Sequence, residues 1–556
     1  MWKHPNLPKA AIVVNLSEGT SAVLQIFCAV VADAYLGRFT VVVSAAITYT
    51  IGLLLCSLAA RGKAFLALRI FYTALTILTL AQSALKISLK TFLGDQILAR
   101  SDQPSTEEEK ERAEGRSNFW WNFAATLAGI VFGVLPVDSF QLLTFASAIL
   151  MAVAFVWFLL GTKFYYCIEP TGSPLISNVP PVICAAIIKR NVAYPRTSDQ
   201  LFQNTNNLVQ VLPHVSWLRW LDKAAVVQQE NSTNLCTVKQ VKGVKFLLKV
   251  LPIWTTFIIF SVVAACGSTF FLEEAYHYQS DDQGTRFQYF ILLQSLARFV
   301  SDFLLNMCKW KNVQKVMLVR IGIGMICSVL CCITACVNAA YWLHLVNLYD
   351  EPASYMSVYR LIPQFILLGL MEGLSQRGLE KFFDSQVSDS ISRYGPPFGE
   401  LMMGVGKFMS VVCILIFHGW INNDISSSHL DKYYAVLAAF SFINLLIYSY
   451  AAYWYGDDRF FEEEDDIESY VMNVGQDIAE LLVGLEEVHT KSGGRDVNED
   501  IAEPLIGLEE VHAQLGGLNV DEVIVEPLIG RSLSNKVHYN SSQLSTAFQR
   551  KTRSFR

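Results

Sequence analysis

The chain has 556 residues, of which 53% are hydrophobic and only 17% are charged. Soluble domains carry about 25% charged residues, so this composition excludes an ordinary soluble globular protein. The net charge of −6 comes without a basic stripe, and the sequence therefore indicates no nucleic-acid partner.

Apolar runs recur along the chain at roughly 20 residues, the length at which an α-helix crosses a bilayer. The spans predicted before a long polar segment are Thr20–Ala34, Thr40–Ala60, Phe65–Leu89, Asn118–Leu135 and Phe140–Leu160. Those predicted after it are Val244–Ala265, Tyr289–Met307, Val313–Val337, Val358–Leu374, Leu401–Phe417 and Tyr434–Trp454. Because backbone groups in lipid must be hydrogen-bonded within their own helix, we expect an all-α membrane protein with about eleven transmembrane helices.

Composition divides the chain into four predicted parts. Residues 1–161 form an N-terminal helix bundle, 162–243 a basic central loop, 244–455 a C-terminal six-helix bundle and 456–556 an acidic tail. Lysine and arginine mark the cytoplasmic side of a membrane protein, so we expect the central loop and the tail in the cytosol. The plasma membrane and the vacuolar membrane both fit this multi-pass topology.

The acidic tail contains an internal repeat. The stretch Asp477–His489 recurs as Asp500–His512, and in part as Val525–Gly530. So few copies cannot build a stable stack of repeats. A mostly disordered tail with short amphipathic helices is one interpretation, and a segment that binds a protein partner or directs sorting is the other.

A charged hinge, Ala32–Arg38, lies between the first two predicted spans. An aspartate at the membrane edge is costly unless it is paired or caps a helix, and Arg38 is near enough in the chain to pair with Asp33. Gly37 permits a tight turn between two helices. We therefore expect this segment to hold neighbouring helices against one another.

No motif in the sequence indicates catalysis or metal binding. The cysteines that cluster in sequence, Cys327, Cys331, Cys332 and Cys336, lie inside one predicted helix without histidine or aspartate partners. Small polarisable core residues explain them better than a metal site. Neither a His-Glu-x-x-His zinc motif nor a Gly-x-Ser-x-Gly elbow occurs, so we expect no enzyme, no metal and no cofactor.

Several stretches in chain order carry a resemblance to a known family. They are Ala32–Arg38, Phe119–Phe123, Gly172–Leu175, Leu221–Ala225, Leu235–Val241, Leu251–Trp254 with Ser268–Phe271, and Glu380–Gln386. The chain resembles the plant nitrate/peptide transporters, the proton-dependent oligopeptide transporter family of the major facilitator superfamily, over residues about 8–455. The resemblance implies a two-bundle fold with twelve spans, which rocks about a central site and moves substrate together with protons.

The sequence has one predicted span fewer than this family. Residues 8–31 resemble the family from the loop after its first helix onward, and the Glu-x-x-Glu-Arg motif of that helix is not found near the N-terminus. We therefore expect the first family helix, which takes part in proton coupling, to be missing. A truncated product, a splice form and an incomplete gene model would each explain this.

Two membrane-embedded charges are the candidate residues of a substrate and proton cavity. Lys86 lies within the third predicted span and matches the family's cavity lysine, whereas snorkelling to the interface is the alternative role. Glu372 has apolar neighbours and aligns with the family's cavity glutamate; a buried carboxylate without a partner favours its protonated form, which suits a proton or a cationic group. Pairing with a neighbouring helix is the alternative. We expect both to face one cavity from opposite halves.

The hinge residues Asp33, Gly37 and Arg38 match the gating loop of the superfamily, which implies a role in closing the inner side. Substrate identity stays open. Some nitrate-carrying members have a histidine where this chain has Ala264, which argues against nitrate by that route.

The sequence thus predicts a secondary active, proton-coupled transporter of a small solute: nitrate, a di- or tripeptide or another organic anion. Its partners would be that solute, protons and the lipid bilayer, with a protein partner of the tail as a further possibility. The alternative is a non-transporting or regulatory relative in which the missing helix impairs proton coupling. Transport into liposomes separates the two hypotheses.

Overall fold

The computed structural model describes residues 6–61, 64–100, 107–134, 139–168, 179–194, 201–202, 211, 216–227, 236–278, 288–307, 313–349, 356–386 and 395–456. The acidic tail with its repeats and the family stretch Gly172–Leu175 lie outside these residues. Their predicted roles therefore stay predictions.

Most of the described residues belong to α-helices. The helices are α1 Leu7–Val31, α2 Arg38–Arg61, α3 Ala64–Arg100, α4 Glu107–Val134, α5 Phe140–Leu160, α6 Val179–Ile188, α7 Val238–Lys249, α8 Leu251–Gly267, α9 Phe270–His277, α10 Gln288–Met307, α11 Val313–Leu348, α12 Ile362–Gln386, α13 Gly395–Ile416 and α14 Leu430–Gly456. A π-helical turn, Ala32–Leu36, extends α1. The all-α prediction is confirmed.

Eight helical segments of the described chain are long and apolar enough to cross a membrane. They are Leu7–Leu36, Arg38–Arg61, Leu66–Arg100, Phe140–Leu160, Leu251–His277, Lys315–Leu348, Gly395–Ile416 and Leu430–Tyr455. The other long helices, α4, α10 and α12, carry more polar residues, among them Asn122, Asp302 and Glu380. These polar side chains line a cavity inside the protein. They lower the mean hydropathy of their helices, so hydropathy alone does not identify these helices as membrane spans.

The first predicted span differs most from the observed helix. We expected it to begin near Thr20, but α1 begins at Leu7, where the side-chain oxygen of Asn6 accepts a hydrogen bond from the backbone nitrogen of Lys9 at 3.1 Å. Polar residues such as Asn15 interrupt the apolar run, yet Asn15 is fully buried and donates to the hydroxyl of Ser410 at 3.1 Å. A polar residue lowers the local hydropathy even where it faces protein rather than lipid, so hydropathy placed the start of this helix too late.

The membrane helices pack as two groups. In the first, α2 packs against α3 and α5, and α1 against α3; in the second, α11 packs against α12 and α14, α10 against α12, and α8 against α13 and α14. The two groups meet where α1 contacts α13 and α4 contacts α10. This is the two-bundle arrangement expected from the resemblance.

Glycines permit the close approach of α1 and α13. A Cβ atom on Gly404 would lie 2.9 Å from the Cβ of Ala22 and 2.9 Å from the carbonyl oxygen of Gly19. Small residues at a helix crossing let two backbones come together in a membrane, where packing drives association.

The chain divides into two compact units, and both groups of membrane helices belong to the first, residues 1–184 and 242–457. The second unit contains the described residues of 185–241, the central loop. Within it, the buried ammonium group of Lys189 donates to the carbonyl oxygens of Ala224 at 3.1 Å and Val226 at 2.8 Å. Burial lowers the pKa of this ammonium group.

Candidate functional site

The hinge Ala32–Arg38 is held by a three-residue ion cluster. The Nε atom of Arg38 donates to Asp33 Oδ1 at 2.7 Å, and its Nη1 donates to both carboxylate oxygens of Asp95 at 2.6 Å. Gly37 has φ 78°, a conformation that favours glycine. The predicted pairing of Asp33 with Arg38 is therefore present. Asp95, on α3, is a partner that the sequence reading missed.

A polar cavity lies between the two groups of membrane helices. It has a volume of about 380 Å³ and is contiguous, through shared lining residues, with a smaller cavity of about 50 Å³. The charged residues that line the larger cavity are Glu18, Lys86, Arg298, Glu372, Glu400 and Lys407. Acids and bases are thus equal in number around it.

Lys86 lines this cavity but pairs with an unexpected residue. Its Nζ atom lies 2.7 Å from Oε1 of Glu400 on α13, and the amide of Gln376 donates to the same oxygen at 2.9 Å. The Glu400 side chain is 14% exposed, whereas that of Lys86 is 40% exposed. Lys86 therefore keeps part of its ammonium group open to the cavity while it bridges the two groups of helices.

Glu372 lines the same cavity from α12. It is not isolated: Nη1 of Arg298 lies 3.8 Å from Glu372 Oε2, and the amide of Gln294 donates to that oxygen at 3.2 Å. Arg298 also donates to Gln376 Oε1 at 2.8 Å. The transport roles of Lys86 and Glu372 stay predictions, but both side chains are at one cavity.

A second bridge lies one helical turn closer to the hinge. The Nζ atom of Lys90 is 2.7 Å from Glu380 Oε1, and Nη1 of Arg377 donates to the other oxygen of Glu380 at 3.2 Å. Glu380 lies in the family stretch Glu380–Gln386, but the sequence gives no sign that its partner is on α3.

A buried pair supports this bridge from within. Nη2 of Arg320 donates to Asp302 Oδ1 at 2.7 Å, and the amide of Asn122 donates to Asp302 Oδ2 at 2.7 Å. Arg320 also donates to the carbonyl oxygens of Gly373 at 3.0 Å and Leu374 at 3.1 Å. These bonds fix α4, α10, α11 and α12 around the hinge end of the cavity.

A third bridge lies at the end of the cavity away from the hinge. Lys407 on α13 forms an ion pair with Glu18 on α1, and the hydroxyl of Ser268 donates to Glu18 at 3.2 Å. We expected residues before Thr20 to lie outside the first span, so Glu18 was missed.

The family stretches Leu251–Trp254 and Glu380–Gln386 meet at the hinge end of the second group. The indole of Trp254 stacks on Phe383 and on Phe398, with ring centroids 5.2 Å apart in each case. Trp254 is buried, so this aromatic stack is a rigid support beneath α12 and α13.

The arrangement allows charge-controlled opening. Three ion pairs, Glu18–Lys407, Lys86–Glu400 and Lys90–Glu380, cross between the two groups of helices at successive levels. A pair is broken when its carboxylate takes a proton or when a charged solute replaces one partner. The paired side chains are between 10% and 40% exposed, so each pair contributes on the order of 1 kcal/mol, and breaking several of them shifts the balance between two packings of the helices.

Among the described residues, no group of three or more histidine, cysteine, aspartate or glutamate side chains is arranged to hold a metal ion. The clustered cysteines lie on α11, where Cys331 and Cys332 are buried in the helix packing.

Comparison with known proteins agrees with this architecture. The model of the POT family, PTR2, matches residues 39–419. The Arabidopsis thaliana protein NRT1/PTR FAMILY 5.7 is 28% identical over 505 residues, covering 81% of this chain and 83% of its own. The Arabidopsis thaliana protein NRT1/PTR FAMILY 8.1 is 27% identical over 500 residues, covering 80% of this chain and 86% of its own.

Solved structures share the fold. The crystal structure of an auto-inhibited POT family peptide transporter superposes with a TM-score of 0.58 at 18% identity, over 80% of this chain and 88% of that one. The POT family transporter PepTSo gives a TM-score of 0.56 at 16% identity, over 81% of this chain and 90% of its own. Since the family model matches more than half of the chain, this protein belongs to the POT family of multi-pass membrane transporters.

Proposed function

We propose that this protein is a proton-coupled secondary active transporter that moves a small solute by alternating access. The observation that supports the proposal most directly is the charged cavity between two groups of helices, crossed by ion pairs above and below it. A carrier needs separable contacts toward each end of its cavity, because each end must open without the other.

The cavity favours an organic solute over a bare inorganic ion. Its volume of about 380 Å³ falls within the range of about 300–1,000 Å³ that small-molecule sites occupy. A nitrate ion would fill only a small part of this space. Charges of both signs on the wall fit a di- or tripeptide or another organic anion that also carries polar groups.

The carboxylates of the cavity are the groups that bind the coupled proton in this proposal. When Glu400 takes a proton, its attraction for Lys86 is lost, and the ammonium group becomes available to the negative group of the solute. Glu372 plays the corresponding part beside Arg298. Proton binding and solute binding are thereby linked, because both act on the same ion pairs.

The hinge and the bridge beside it form the inner gate. Opening on that side requires the Lys90–Glu380 pair to separate, while the Asp33–Arg38–Asp95 cluster keeps α1, α2 and α3 moving together. In this role Asp33, Gly37 and Arg38 do not touch the solute.

Uptake by purified protein in liposomes, with and without an imposed pH gradient, tests the function. We expect accumulation of labelled di- or tripeptides only when the gradient is inward. The double variant Lys86→Gln/Glu372→Gln should abolish uptake while the protein stays folded. Unchanged uptake by the variant would refute the site, and binding without flux would favour a regulatory relative.

A fluorescent fusion would distinguish the plasma membrane from the vacuolar membrane.

A further inference from the structure

The central-loop unit contains a short 3-10 helix, Ser216–Ala225. A 3-10 helix has three residues per turn, so residues three apart share one side. Leu218, Leu221 and Ala224 share the side that is fully buried within the protein. These residues account for how the helix is anchored.

Another side of the same helix is aromatic and open. Trp217 and Trp220 are three apart, and their side chains are 44% and 37% exposed. Each of the two tryptophans thus leaves more than a third of its surface open to the surroundings. Exposed large apolar side chains next to polar groups mark interaction sites.

The surroundings of these indoles are positively charged. Lys223 follows Trp220 on the same side, and its ammonium group lies 4.5 Å from the ring centre of Tyr194. The guanidinium group of Arg219 lies 4.7 Å from the centre of the same Tyr194 ring. The acidic residue of the helix, Asp222, is buried, so its carboxylate is not part of the exposed surface.

The bilayer is within reach of this unit through the chain itself. The unit ends at Val241 within α7, and α7 leads directly into the membrane helix α8 at Leu251. At 1.5 Å per helical residue, the link is only about 15 Å long. The chain therefore limits how far Val241 can lie from the start of that membrane helix.

We propose that the surface formed by Trp217, Trp220 and Lys223, together with Arg219 at the same tyrosine ring, binds the anionic phospholipid surface of the leaflet next to the central loop. Tryptophan is enriched at membrane–water interfaces, where one part of the ring is apolar and the N–H is hydrated. Lysine and arginine near an anionic leaflet each contribute to binding, and the contribution falls within a Debye length. The lipid contact would hold the central loop flat while the bundles move.

Quenching of tryptophan fluorescence in the intact protein tests the contact. The emission of Trp217 and Trp220 is obtained as the difference between the natural protein and a Trp217→Phe/Trp220→Phe variant, both in lipid nanodiscs of phosphatidylcholine with phosphatidylserine. Phenylalanine keeps the apolar contact, so the variant should fold and bind. We expect strong quenching of the difference emission when the phosphatidylserine chains carry bromine.

A charge variant tests the lipid class. Loss of one arginine near an anionic surface corresponds to about a fivefold weaker association, since one basic residue contributes about 1 kcal/mol. Arg219→Glu should therefore weaken the association at least about fivefold and reduce the quenching as the bound fraction falls, as should raised salt. Lys432→Glu, an exposed residue at the start of α14, makes the same charge change and should have no effect.

Two results would overturn the proposal. Difference emission that no brominated lipid quenches would show that this face does not meet the bilayer and is open to a soluble partner. Equal quenching in pure phosphatidylcholine discs, unchanged by Arg219→Glu, would show that anionic headgroups are not recognised. Thermal unfolding of each variant must match that of the natural protein for either result to count.

Discussion

At the scale of single residues, the pair Lys86–Glu400 carries the most specific expectation. Lys86→Glu places two acids where an ion pair stood and should reduce uptake strongly. The exchanged double variant Lys86→Glu/Glu400→Lys restores opposite charges and should recover stability. We expect a coupling energy of about 0.5–1 kcal/mol, because Lys86 is 40% exposed and solvent screens the pair.

Thermal unfolding of the two single variants and the double variant measures this coupling. The same cycle at Lys90–Glu380 is the control: there both side chains are at most 19% exposed, so the coupling energy should be larger. Additive effects of the two Lys86–Glu400 changes would show that the two side chains do not interact. Uptake that returns with the exchanged charges would show that the pair, rather than either residue alone, matters for transport.

What the sequence could predict at this scale was local. Asp33 and Arg38 are five positions apart, and Gly37 lies between them, so charge and turn chemistry suffice to foresee their arrangement. Lys86 and Glu400 are separated by 314 positions, and no local pattern connects them. The depth of Lys86 in its span predicts a functional role, but only the fold, which brings its side chain to Glu400 on α13, identifies its partner.

At the scale of helices, the crossing of α1 and α13 depends on small residues. Gly404→Ala would place a Cβ atom 2.9 Å from Ala22 and from a backbone oxygen, so the helices must separate. We expect a loss of about 1–3 kcal/mol in stability from overpacking, and slower uptake because the crossing joins the two groups. The melting temperature in detergent measures the loss.

Gly115→Ala is the matched control, because Gly115 is also helical and a Cβ atom there would meet nothing within 4 Å. Alanine favours a helix over glycine by about 1 kcal/mol, so this variant should be as stable as the natural protein or more so. If both variants changed the melting temperature in the same direction and by the same amount, helix propensity rather than close packing would explain Gly404.

Helix boundaries could be predicted from the sequence only where the helix is exposed to lipid and apolar along its length. Hydropathy identified α2 and α5 almost to the residue, because both helices are apolar along their whole length. It failed at the start of α1 and at the end of α3, where Glu18 and Asp95 face protein partners. Hydropathy reports contact with lipid, and it cannot distinguish a polar loop from a polar helix face turned toward a cavity.

At the scale of the whole molecule, breaking the ion pair at one end of the cavity should affect opening in the opposite way to breaking the pair at the other end. Glu380→Gln weakens the bridge to Lys90 at the hinge end, whereas Glu18→Gln weakens the bridge to Lys407 at the other end. In alternating access each change favours the state that is open at its own end. The two variants are therefore matched: both replace a carboxylate by an amide of the same shape.

Hydrogen exchange of the intact protein in nanodiscs distinguishes these states. Glu380→Gln should speed exchange in the hinge-end part of α12 and slow it in the first turns of α1, and Glu18→Gln should do the reverse. In the proposed mechanism the bundles pivot about the cavity, so opening one end would pack the other more tightly. Faster exchange at both ends in either variant would indicate general loosening, and it would contradict a carrier whose two gates exclude each other.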